Sequence, residues 1–406
     1  MKDFLFIAFS RAVIVGAQLV YVKLYSNFLS NHELGLYFFL NTVSYSLNAF
    51  LFVPIDYYQQ AKLYGFVKNR ISLNTLVGFN KKCLVVVAAA IISLTAVLSI
   101  VRPEYAIYAL LAGTLSVAIY VGNALKGALN NLEHRGFIAT VTAVEAILKV
   151  VLFYAFVFLL QRQATTLVFS TIAALGLAII PLIWLTRKLP VFNSGAIEHI
   201  EAKDVLKFGY PVSIGAIVNW VQVQGYRMIL VPLGLTDMVG IYATVSGIGS
   251  AGMNAASMIF QQVFVPKIYK TSGEYTKTYL RDALLLIVGI LVMCAAFSKL
   301  VVILLTKEAF RQFSSLLLYG VVAEGSSLLI GALSVQLTIV SQTRKMLNAT
   351  FVGLLSFAVS FFTLFVLKLV TIYTIGLPII LSQILVVLYL YAVYTRASAG
   401  TVLRHA

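Results

Sequence analysis

The sequence predicts an all-α integral membrane protein, with twelve transmembrane helices in two six-helix halves around a central cavity. Three observations carry this expectation. Of the 406 residues, 61% are hydrophobic and only 11% charged, whereas soluble domains average about 45–50% apolar and about 25% charged. Apolar runs close to the ~20 residues that cross a hydrocarbon core of about 30 Å recur along the whole chain. Short motifs at the two ends of one such run also return in the second half, displaced by 205 and 212 positions.

In chain order the first half has runs at 4–25, 34–56, 83–101, 105–125, 137–160 and 164–186. The second has 208–232, 238–265, 283–305, 312–342, 347–367 and 372–395. The halves are therefore placed at 1–200 and 201–406. Residues 83–101, 105–125 and 346–367 contain no charge at all. The first run holds Arg11, yet it is too long for a signal-peptide core and no small-residue cleavage site follows, so it is expected to stay as a span. Pro211 and Pro232 bracket the seventh run, which is the candidate for a mobile, bent helix. Cys83 and Cys294 sit in apolar runs with no metal-ligand spacing and no histidine nearby, so neither a disulfide framework nor a metal site is expected.

Lys and Arg number 30 against 14 Asp and Glu. With the N-terminus placed in the cytoplasm, 20 of the 30 fall in cytoplasmic segments, six in outer ones, and four (Arg11, Lys149, Arg227 and Lys299) within spans. This bias predicts that both termini are cytoplasmic. It also accounts for the basic charge without nucleic acid as a partner. The outer loops, such as 27–33 and 234–237, are too short to carry a domain.

The internal repeat rests on two anchors. The stretch from Phe28 to Tyr37 matches that from Leu233 to Tyr242, with Gly35 and Tyr37 falling on Gly240 and Tyr242; Phe52-Val53-Pro54 matches Phe264-Val265-Pro266. Six spans per half is an even number, so both halves insert in the same orientation, and the expectation is alternating access between them.

An acidic residue before Gly-x-Tyr at the start of spans two and eight, a Phe-x-Pro at their cytoplasmic ends, and two six-helix halves resemble the Wzx-type flippases of lipid-linked oligosaccharides. These belong to a superfamily that also holds multidrug (MATE) exporters and lipid II flippases. The resemblance implies movement of undecaprenyl-pyrophosphate-linked sugar repeat units, as in O-antigen and polysaccharide biosynthesis, from the inner to the outer leaflet of a bacterial inner membrane. It implies polysaccharide polymerase or assembly proteins as partners beside the membrane lipids. Many relatives carry an acidic-basic pair in span seven; here Gly225-Tyr226-Arg227 keeps only the basic member.

Charges inside spans cost about 2.5–3.5 kcal/mol at the bilayer centre on insertion scales, so they usually face water or a partner. Arg11 and Arg227 in equivalent spans suit a diphosphate, which guanidinium binds in bidentate fashion. Both are also close enough to a membrane surface to snorkel. Glu145 and Lys149 stand four apart on one helix face, either as a self-neutralising pair or with Glu145 holding Lys149 until an anionic headgroup competes. Glu324 has no charged residue within a turn and is the candidate proton or sodium site. Asp56, just after Phe52-Val53-Pro54, is expected at the interface or as a gate partner for a cytoplasmic lysine. Tyr37, Tyr45, Tyr120, Tyr226 and Tyr242 are candidates to stack on sugars, although interfacial belts explain most membrane tyrosines.

Three rivals are weaker. An ion-coupled multidrug exporter of the same superfamily would need acidic groups for cationic drugs where spans one and seven offer arginine. A major-facilitator transporter would carry a Gly-x-x-x-Asp-Arg-x-Gly-Arg type signature that residues 57–74 lack. An enzyme of the same pathway would need a large outer loop or an Asp-x-Asp site, and no nucleophile, base and orienter can be read from the chain.

Overall fold

The computed structural model describes residues 2–193, 195–340 and 342–402. It is all-helical apart from one isolated bridge, Ile71 to Ala196. The helices are α1 (Lys2–Phe28), α2 (Asn31–Leu47), α3 (Val53–Lys68), α4 (Asn74–Val101), α5 (Pro103–Asn131), α6 (Arg135–Leu159) and α7 (Ala164–Lys188). A short α8 (Pro190–Asn193) precedes α9 (Ala202–Leu230), α10 (Thr236–Lys270), α11 (Thr276–Leu305), α12 (Leu316–Ile339), α13 (Thr343–Val366) and α14 (Leu377–Val402).

The second expected span is longer than the apolar run that announced it. A π-helical segment, Asn48–Phe52, joins α2 to α3 into one rod ending at Lys68. Its cause is local. Pro54 has no N–H to donate to the carbonyl four residues earlier, and the ladder widens to the five-residue spacing. Asn48 stabilises the widened turn by donating its amide to the Ser116 carbonyl (2.8 Å) and hydroxyl (2.9 Å) of α5. The matching Pro266 leaves α10 continuous over 35 residues. Equivalent motifs thus give different backbones in the two halves. Span seven is one helix, α9, with Pro232 in the turn after it; the Pro211 side chain lies outside the described residues.

The chain divides into two compact units, Met1–Ile217 and Val218–Ala406, with the division inside α9. In the first unit α4 packs on α5, α5 on α7, α6 on α7, α2 on α5 and α1 on α6. In the second, α11 packs on α12, α12 on α14, α13 on α14 and α10 on α12. Gln222 of α9 donates to the Thr350 carbonyl of α13 at 2.7 Å, as the counterpart of α1 on α6. The pairing order of the first unit therefore returns in the second.

Among the described residues nine spans are long and apolar enough to cross a membrane. Helices α9 and α10 are as long but are diluted by Gln222, Gln224, Asn254, Gln261 and Gln262. Helices α4 and α11, in equivalent places in their units, bury almost none of the residues of their apolar stretches, as suits a helix beside lipid. Each unit also has its own core. Leu40, Leu115 and Val168 belong to the first, and Leu333, Leu337 and Leu390 to the second.

Candidate functional site

In the first unit three charged side chains meet between α5 and α6. Glu145 is 6% exposed. It holds two ammonium groups, Lys149 Nζ at 2.8 Å and Lys126 Nζ at 2.5 Å. The first partner is the one expected from the i, i+4 spacing; the second comes from the neighbouring helix, and it corrects the reading of a self-contained pair. Lys126 stands just past the apolar run that ends at residue 125, and α5 continues to Asn131. Two lysines on one carboxylate leave the cluster with a net charge of +1. A buried pair offsets its desolvation only when the partners are close and well hydrogen-bonded, and both bonds here meet that condition.

Arg11 is exposed on α1, the helix that packs on α6. Asp56, on α3, is half-buried and accepts a hydrogen bond from Gln60 Nε2 at 3.0 Å. Among the described residues the ion pairs are Arg102–Glu104, Lys126–Glu145, Lys149–Glu145 and Arg281–Asp282, so Asp56 is not the ion-pair partner of a lysine. The acidic residue of the Gly-x-Tyr motif has a structural task that sequence reasoning missed. Glu33 lies in the first turn of α2, where Ser30 caps its backbone N–H at 3.2 Å, and its carboxylate accepts the Ala164 N–H that opens α7 at 2.5 Å. A carboxylate there satisfies an orphan donor and complements the helix dipole. In the second unit Asp237 occupies the matching first turn of α10. Across the outer turn, burial holds the Lys307 ammonium below the usual lysine range, and Asp237 opposes that shift.

In the second unit Glu324 does have a partner. Asn254 Nδ2 of α10 donates to Glu324 Oε1 of α12 at 2.9 Å. The juxtaposition follows from how closely α10 and α12 approach. A Cβ at Gly249 would overlap the Leu317 carbonyl, and one at Gly320 the Ser246 carbonyl. About one turn further along each helix lie Asn254 and Glu324.

Arg227 sits in the last turn of α9. Its Nε donates to the Tyr226 hydroxyl at 2.9 Å, and its guanidinium lies 5.3 Å from that ring. Tyr226 in turn meets Tyr242 edge-on at 5.5 Å. Tyr226, Tyr242 and Tyr120 are 1%, 4% and 2% exposed within the chain, and Tyr120 stacks on Phe52 at 4.2 Å. Three of the five tyrosines proposed for sugar stacking therefore have their rings packed within the chain. Tyr45 alone among the five is a large exposed ring.

The chain matches no protein-family model and no curated protein. Its fold does match solved structures. An inward-facing multidrug resistance MATE family transporter of the MOP superfamily aligns with a TM-score of 0.67 at 14% identity, over 96% of this chain and 95% of that one. The outward-facing form of a MATE family transporter aligns at 0.60 and 13%, over 98% and 96%. The lipid II flippase MurJ, in an inward closed conformation, aligns at 0.62 and 13%, over 97% and 87%. The chain has, over nearly its full length, the all-helical fold shared by these transporters and this flippase.

Proposed function

We propose that this protein is a transporter, and specifically a flippase for an anionic lipid-linked substrate, the undecaprenyl-pyrophosphate-linked oligosaccharide repeat unit. The lipid is carried from the inner to the outer leaflet of a bacterial inner membrane by alternating access. The single observation that carries this reading is the sign of the charge at membrane depth in the first unit. Lys126 and Lys149 outnumber Glu145, and Arg11 adds a further positive charge. A pyrophosphate is the headgroup chemistry such a surplus favours, because buried cations seek phosphate oxygens. The likeness in fold to a lipid II flippase supports a lipid-linked substrate. Short outer loops and the transporter names of the structural neighbours support a carrier rather than an enzyme. On this reading the bias of basic residues, 19 to 6 once Lys126 is counted inside its span, leaves both termini cytoplasmic. Polymerase or assembly proteins receive the flipped lipid.

A second reading, an ion-coupled multidrug exporter, is favoured by one observation. The TM-score to a MATE transporter, 0.67, exceeds the 0.62 to the lipid II flippase. The deciding experiment reconstitutes the full chain in proteoliposomes. Flipping of a fluorescent undecaprenyl-pyrophosphate oligosaccharide without efflux of a cationic dye is the expected result. Dye efflux with no flipping would replace the first reading with the second.

A further inference from the structure

A cavity in the first unit lies among α3, α4, α5, α7 and α8. Its volume is about 330 Å³. Two loops clasp it. The 3₁₀-like turn after α3 reverses at Arg70, whose φ is +56°, and the chain then pairs with Ala196 beyond α8. Ser72 Oγ donates to the Phe192 carbonyl at 2.6 Å. Gly195, with φ of +111°, is obligatory in that clasp because a Cβ there would overlap the Arg70 carbonyl. The clasp seats Phe192 and Leu73 as part of the cavity wall, with Leu63 and Leu76 beside them.

The polar lining is organised at two levels. Lys81, near the start of α4, and Arg187, in the last turn of α7, are exposed side chains that line the cavity together with Asp56. Asp56 is already engaged by Gln60, so the three ionisable groups sum to +1. Deeper in, Asn80 Oδ1 accepts from both Gln59 Nε2 and the Tyr120 hydroxyl, the latter at 2.9 Å. Gln59 and Tyr120 are buried, and that network leaves Asn80 Nδ2 and Gln59 Oε1 for a further partner. The cavity thus joins two cations, an amide and hydroxyl floor, and apolar walls. None of its residues belongs to the Lys126–Glu145–Lys149 cluster.

Size and depth select the ligand class. Pockets for drug-sized molecules run about 300–1,000 Å³, so this one takes a headgroup and its first carbons but not an oligosaccharide. Lys81 lies two turns into α4 and Arg187 in the last turn of α7, and basic pockets between transmembrane helices on the cytoplasmic side are suited to acidic headgroups. We infer that the cavity binds a phosphate-bearing headgroup, with Lys81 and Arg187 on the phosphate and the Gln59–Asn80–Tyr120 network on a headgroup hydroxyl. The chemistry is shared by an anionic phospholipid of the leaflet and by free phosphate.

The full-length protein in phosphatidylcholine nanodiscs, titrated with short-chain phosphatidylglycerol and read by native mass spectrometry, separates the outcomes. Binding should weaken at least tenfold in the Lys81→Ala/Arg187→Ala double variant. It should weaken as much in Ala124→Phe, which fills the cavity and keeps both charges. Lys203→Ala, a basic residue at the same end but outside the cavity, should bind as wild type. Displacement of the lipid by inorganic phosphate assigns the site to phosphate itself, and resistance to displacement assigns it to the lipid headgroup. Equal binding of phosphatidylcholine and phosphatidylglycerol, or equal loss in Lys203→Ala and the double variant, would overturn the site, as would undiminished binding in Ala124→Phe. Because Lys81 and Arg187 are exposed, the double variant should fold even if Ala124→Phe does not.

Discussion

Glu145 is the residue on which the polar interior of the first unit turns. Removing it leaves Lys126 and Lys149, whose side chains are 19% and 28% exposed, with no counter-charge, which costs up to the roughly 3–5 kcal/mol of a broken fully buried pair. Removing Lys126 leaves a one-to-one pair of Glu145 with Lys149. Glu145→Met should therefore lower thermal stability in detergent sharply, and Lys126→Met far less, as read by fluorescence-detected size exclusion after heating. If the surplus charge holds the substrate, Lys126→Met should still reduce surface polysaccharide in a flippase-null strain. Full export by Lys126→Met would remove the cluster from the transport path. The arginines are tested in the same strain. Arg11→Ala and Arg227→Ala should each abolish export while the protein still reaches the membrane, and Lys at either site should restore part of it, supplying charge without the bidentate fork. Wild-type export by both Ala variants would leave Arg227 as only the hydrogen-bonded neighbour of Tyr226.

For the Glu324 carboxyl the useful comparison is between charge and shape. Glu324→Gln keeps the hydrogen bond to Asn254 within reach but loses the ionisable group. Were Glu324 a coupling site, flipping by Glu324→Gln in proteoliposomes would lose its dependence on an imposed proton or sodium gradient, whereas Asn254→Ala would weaken it. Unchanged gradient dependence in Glu324→Gln would make the Asn254–Glu324 bond a helix-helix tie and nothing more.

At the scale of elements, the decisive feature of the second unit is the backbone contact of α10 with α12. Gly320 and Gly249 each face a carbonyl oxygen of the opposing helix, which no side chain tolerates at that separation. Gly320→Val should force the helices apart, cost about 1–3 kcal/mol as overpacking does, and carry Asn254 away from Glu324. Gly331→Val, where a Cβ meets open space on the same helix, is the matched control. Equal stability of the two variants in a thermal assay would show that the close approach is not needed. The π-helical segment before Pro54 was not legible in the sequence, since the same Phe-x-Pro at Pro266 leaves the helix unbroken. What separates them is Asn48 reaching into α5, a contact between helices that no local pattern encodes.

At the scale of the whole molecule, the charge bias makes a topological prediction. Reporter fusions after Lys82, Lys203 and Lys277 should read as cytoplasmic, and those after Arg102 and Gly234 as outside, by alkaline phosphatase and green fluorescent protein activity. A reversed reading at Lys203 relative to Lys82 would break the even count of spans on which the two-unit arrangement rests. Helices α4 and α11 are the least buried spans of their units, and α9 and α10 are the more polar ones.

Composition, apolar run length and the repeat of Gly-x-Tyr and Phe-x-Pro were enough by themselves to determine an all-helical membrane protein with a recurring helical order. These are properties of the chain in a bilayer, where each backbone polar group must be satisfied within its own segment. The i, i+4 contact of Glu145 with Lys149 was legible for the same reason, because one helix contains both partners. Only tertiary packing decided that Lys126 shares Glu145, that Asn254 meets Glu324, that Glu33 caps α7, and that Tyr120, Tyr226 and Tyr242 are core. Each of those joins residues on different helices, and their register depends on which faces approach closely enough, as at Gly249 and Gly320, to bring distant side chains within hydrogen-bonding distance.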